Sequence, residues 1–231
     1  RHRGRAGRSP RKARDKARAI ACINNLKQLS FGHVGYMADN AEWSPTICNP
    51  WENGTGWKGA YWPVLMKRGG YIPGVSILSC PAETNQPYDE IESGDNAQGV
   101  QTNYGLNRVF GYYAAYPWQG VKLSTLSKFT NSSRMAVFGD TASAATATRV
   151  PNLAATVLDT PRYKPILLAG GTPVATGNSI YLRHSGRANI AQLSGSVIPL
   201  SYAMAAEKVG GANTYFSPTY SDTFSGEDRV R

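Results

Sequence analysis

The sequence predicts an α+β fold, with a long N-terminal helix followed by a loop-rich body that ends in an antiparallel sheet. Apolar positions between Ala19 and Met37 recur at steps of three and four, the period of one helix face. Near the other end, segments 179–183, 189–193 and 197–201 are each of strand length and are separated by turn residues. Between them the chain carries most of its Gly, Pro, Tyr and Trp, a composition of turns and packed loops. Its 231 residues are 41% hydrophobic and 17% charged, which suits one elaborated domain, or two small ones, with a packed core and argues against wholesale disorder.

The formal net charge of +10 belongs to the N-terminus. Residues 1–18 hold nine Lys/Arg and one Asp, a net of +8, leaving 16 Lys/Arg against 14 Asp/Glu, a net of +2, for the rest. Residues 1–10 therefore read as a disordered basic arm. Residues 1–18 are expected to bind DNA or anionic lipid weakly and without sequence preference. Pro10 suits the first turn of a helix, which is predicted over 11–39. Its apolar face carries Ala19, Cys22, Ile23, Leu26, Leu29, His33, Tyr36 and Met37. Its polar face carries Arg18, Asn24, Asn25, Lys27 and Gln28.

Residues 40–201 form the expected globular head. Within them, 40–120 read as mostly irregular, with "WENGTGWKGAYW" as an aromatic loop packed on the core or, alternatively, a sugar platform. "YWPVLM" (61–66) and "VSILSC" (75–80) read as a helix turn and a strand. "SSRMAVFGD" (132–140) reads as a buried strand, 141–177 as a long insertion, and 202–231 as a flexible tail. "HSGRA" and "SGS" read as two connections in a three-strand meander, with Gly186 and Gly195 supplying the positive φ that tight connections need.

Catalytic motifs are not found. The sequence lacks a nucleophile elbow, a phosphate-binding Gly-rich loop before a helix, and a P-loop. A triad around His184 would have to recruit Asp140 or Asp159 through folding alone. Cys22, Cys48 and Cys80 form no CxxC pair and no Cys/His cluster in sequence, so a zinc site is not expected. The expectation is a chain with no catalytic residue, cofactor or metal. No stretch approaches 18 apolar residues, and no signal-peptide pattern is visible.

The run "ARDKARAIACINNLKQLSFGHVGYMADNAEWSP", with Cys22, Asn24, Asn25, Leu26, Lys27 and Gln28, resembles the region after the membrane segment in bacterial type IV pilin-like and type II secretion pseudopilin proteins. "LSCP", "TNYGLN" and "LSKFTNSSRMAVFGD" follow in the order found in that family. Its C-terminal signature H-x9-D-G is matched in spacing by His184, Ser194 and Gly195, with Ser in place of Asp. The resemblance implies a pilin-like fold, in which the N-terminal helix packs on an antiparallel sheet with long loops. It also implies a structural, non-catalytic subunit of a cell-surface or secretion filament. Expected partners are copies of itself or related subunits, on the export side of the inner membrane. The family's N-terminal apolar helix and cleavage/methylation motif are replaced by "RHRGRAGRSP", so membrane association requires an apolar helix restored upstream. The alternatives are a surface module binding glycan or DNA and a degenerate, non-assembling paralogue. Export implies an oxidising compartment. Cys48 and Cys80, both beside turn-forming residues, are then the expected disulfide, with Cys22 as a small hydrophobe on the helix; three free thiols are the alternative.

Overall fold

A computed structural model of the chain describes residues 10–45, 48–49, 60–83, 102–107, 110, 121–126, 132–143, 157–158, 178–201, 203–204, 208–209 and 212–213. The arm's residues 1–9, the Gly-rich loop 51–59 and most of the insertion 141–177 lie outside them.

Helix α1 spans Pro10–Asp39. The three-four period places Cys22, Leu26, Leu29, His33 and Met37 on one stripe, and all five are buried. Asn24, Lys27 and Gln28 face solvent. Leu26 is 0% exposed inside the main core, where Leu26→Ala removes packing worth about 2–5 kcal/mol. The helix ends where Ala41 and Glu42 take φ of 50° and 70°. The Glu42 N–H then donates to the Met37 carbonyl at 2.8 Å, capping an end carbonyl.

A two-residue antiparallel pair, β1 (Cys48–Asn49) and β2 (Ala60–Tyr61), leads into α2 (Trp62–Arg68). Gly32 of α1 lies against this region. A Cβ there would collide with the Tyr71 carbonyl oxygen and the Met66 side chain, so the close approach of helix and chain requires glycine. Residues Val75–Leu78 form a 3₁₀ turn, not the strand expected at 75–80. A run this short has no period to separate strand from helix. Here Val75, Ile77 and Leu78 are all buried, which strict alternation would not allow.

The main sheet contains β3 (Tyr104–Asn107), β4 (Ala136–Ser143), β5 (Val157–Leu158), β6 (Asn178–Ile180), β7 (Arg187–Gln192) and β8 (Val197–Ser201). The order is β5-β3-β4-β7-β8, with β6 also on β4. Every pairing is antiparallel except β3 with β5. Between β3 and β4 lie α3 (Leu123–Leu126) and a 3₁₀ turn at Ser132–Arg134. Helix α1 packs across β4, β7 and β8 and against the 75–78 turn. The core between them includes Cys22, Leu26, Leu29, Trp62, Leu106 and Phe138, and a smaller apolar cluster gathers Ala136, Ile180, Ala188, Ile190 and Leu200.

The three-strand meander is corrected in one of its two connections. The "SGS" connection does join a hairpin: Ala191 faces Val197, and Gly195 has φ of 83°. "HSGRA" does not. Strands β6 and β7 both pair antiparallel with β4, at Thr141–Ser143 and Ala136–Gly139, so they run in the same direction. The His184 segment is a looped excursion in one run of chain beside β4. It is closed by the Arg187 N–H on the His184 carbonyl at 3.2 Å and the His184 N–H on the Arg187 carbonyl at 2.9 Å. Within the stretch read as a tail, β9 (Lys208–Val209) pairs antiparallel with β10 (Ala212–Asn213). No helix among the described residues is long and apolar enough to cross a membrane.

Candidate functional site

Helix α1, the 75–80 segment and the loop at His184 meet where α1 crosses the sheet. Cys22, on the buried stripe of α1, is bonded to Cys80, just after the 75–78 turn, with Cα atoms 5.3 Å apart. This corrects the expected Cys48–Cys80 pair. Cys48 lies on β1, opposite Tyr61, whereas the helix period and the inward path of residues 75–80 bring Cys22 and Cys80 into one buried place. The thiol read as a small hydrophobe is one half of the staple.

Around this bond, side chains replace the ladder that an irregular segment lacks. Asn25 Nδ2 donates to the Ser79 carbonyl at 2.9 Å, which explains why it is half-buried on the helix's polar side. The Cys80 N–H donates to Asn103 Oδ1 at 2.9 Å, and the Asn103 N–H to the Leu78 carbonyl at 3.0 Å. Asp140 on β4 is wholly buried. Its Oδ2 accepts the Asn189 N–H at 2.7 Å and lies 3.2 Å from His184 Nε2, while Oδ1 is 3.7 Å from Arg183 Nε. Arg183 Nη2 also donates to the Thr141 carbonyl at 2.7 Å. A buried carboxylate is tolerable only with such compensation. Tyr104, next to Asp140 across the β3–β4 pair, has its hydroxyl pKa raised, first by burial and then by the Asp140 charge.

His184 reaches the bond itself, with Nε2 3.6 Å from Cys80 Sγ. Folding thus recruits Asp140 to His184, as a triad would require. The geometry differs from a relay, because Asp140 and Cys80 both face the same ring nitrogen, and the sulfur is already bonded to Cys22. Outside this junction opens a cleft of about 480 Å³, lined by Lys12, Lys16, Arg18, Arg183 and His184 among others.

Of the residues read from sequence, Cys22, Asn25, Leu26 and His184 come to this junction. Asn24, Lys27 and Gln28 point away. Ser194 and Gly195 stand at the far end of β7 from His184, so the nine-residue spacing measures one loop, one strand and one turn. Asp140, Arg183 and Asn103 were not selected from sequence as site residues. The signal was a lone Asp closing an apolar run in "MAVFGD" and a basic pair, Arg183-His184, far along the chain. Comparison with protein-family models, with curated proteins and with solved structures returns no match.

Proposed function

We propose that the chain is the head of a structural filament subunit of the type IV pilin or type II secretion pseudopilin kind, without catalytic activity. The observation that carries this reading is the two-sided character of α1. One face is buried in the head, while Ile20, Phe31 and Val34 on the same helix remain 50%, 73% and 52% exposed. A helix that anchors a head and also packs beside other helices needs a second apolar face of this kind. The Cys22–Cys80 disulfide supports an oxidising location, the export side of the inner membrane or the cell surface. The partners are copies of the chain or related subunits. Residues 1–18 add sequence-blind attraction to polyanions that fades with salt.

The test is immunogold electron microscopy of the source cells with antibody to the head, alongside cells lacking the gene. Gold along surface or envelope filaments that are lost with the gene supports the reading. Gold confined to the cytosol overturns it.

A further inference from the structure

We propose that Cys22, Cys80 and His184 form, once the disulfide is reduced, a binding site for a tetrahedral divalent metal ion of the zinc class. The inference is independent of the filament reading. The three ligand atoms lie within 4.8 Å of one another, although the cysteines are separated by 58 positions and the histidine by a further 104. Metal–sulfur bonds of about 2.3 Å and metal–nitrogen bonds of about 2.0 Å at a tetrahedral angle require a sulfur–nitrogen edge of about 3.5 Å. Cys80 Sγ and His184 Nε2 are already 3.6 Å apart. The three side chains leave the fourth position of the tetrahedron to water, as in open sites with three protein ligands. Once their bond is broken the sulfurs must separate to about 3.7 Å, with Cys22 Sγ, now within 4.8 Å of the nitrogen, settling about 3.5 Å from it.

The surroundings suit a two-thiolate site. Two thiolates neutralise a divalent ion, while the buried Asp140 charge is matched by Arg183. Lys12, Lys16 and Arg18 line the cleft that His184 shares, and a positive setting favours the thiolate forms that bind metal. Asn25 and Asn103 hold the carbonyl and the N–H of the Ser79–Cys80 peptide, fixing the backbone that enters Cys80. In the reductive step a dithiol such as dithiothreitol supplies two electrons and two protons to the S–S bond and leaves as its own cyclic disulfide. The metal ion then displaces both thiol protons into solvent.

The experiment is an anaerobic cobalt(II) titration of the full chain, oxidised and reduced, in a Cys48→Ser background that removes the third thiol. The expected result is one equivalent of tetrahedral, thiolate-ligated cobalt in the reduced protein, displaced by zinc(II), with none in the oxidised protein. Zinc should also raise the melting temperature of the reduced form alone, by an amount that grows with the logarithm of its concentration. His184→Ala, checked for native circular dichroism while oxidised, should bind at least about ten-fold more weakly when reduced. Equal cobalt binding by the reduced protein and a Cys22→Ser/Cys80→Ser variant overturns the proposal. So does undiminished binding by His184→Ala, or loss of helix on reduction that zinc does not restore.

Discussion

Two histidines mark the contact between α1 and the head, His33 buried on the helix and His184 half-buried beside it, and their surroundings are opposite. His33 sits deep in the apolar core, edge-on to Phe110 and Phe138 at 5.8 and 5.7 Å, with Nε2 2.8 Å from Ser44 Oγ. Burial alone depresses its pKa from 6.5 to about 3, so it serves as a neutral, flat core residue with one hydrogen bond. His184 lies at the rim of the basic cleft, against a buried carboxylate, an arginine and a sulfur. One end of the helix–head contact therefore relies on excluding charge, and the other on arranging it around a covalent staple. The two ends should fail under different conditions.

Acid should strike the His33 end hardest. Its folded pKa lies below the unfolded value, so its contribution is complete above pH 6.5 and is lost as pH falls toward about 3. The full loss is about 5 kcal/mol at 1.36 kcal/mol per unit. Urea melts between pH 7 and pH 4 should show a steep decline that His33→Gln flattens. Equal slopes in both proteins would contradict this assignment.

Reduction should strike the other end. Cys22→Ala with Cys80→Ala opens a loop of 58 positions, worth about 4 kcal/mol in the chain-entropy model. Hydrogen exchange should accelerate first in α1 around Cys22 and last around His33. A uniform rise would mean that the helix detaches as one unit and that the two ends do not differ. Asp140→Asn keeps the shape but leaves Arg183 without its counter-charge, at a cost of about 3 kcal/mol by thermal denaturation. An unchanged melting temperature would show that the carboxylate does not stabilise this junction. The smallest effect should be Lys27→Ala, on the exposed face between the two ends, at roughly 0.5 kcal/mol or less.

The His33 end was the more legible in sequence. A helical period over five turns places Leu26, Leu29 and His33 on one side whatever they touch, and β8 with its Gly195 turn follows from alternation and glycine chemistry. The His184 end depends on contacts among residues 22, 80, 103, 140 and 183–184, which no local pattern encodes. Turn residues beside Cys48 and Cys80 misdirected the disulfide, because turn chemistry reports local bends and not which distant sulfur lies across the core. The glycine of "HSG" announces positive φ equally for a hairpin and for an excursion within one strand. Strand β4, 40 or more positions earlier, decides between them.

The Cys22–Cys80 bond staples α1 to the head beside His184. Alkylation of the unreduced protein followed by tryptic peptide mass spectrometry tests it directly. Peptide 19–27, which contains Cys22, should be cross-linked to the peptide containing Cys80, with the alkyl label on Cys48. A cross-link from Cys48 to Cys80, or label on Cys22, would contradict it.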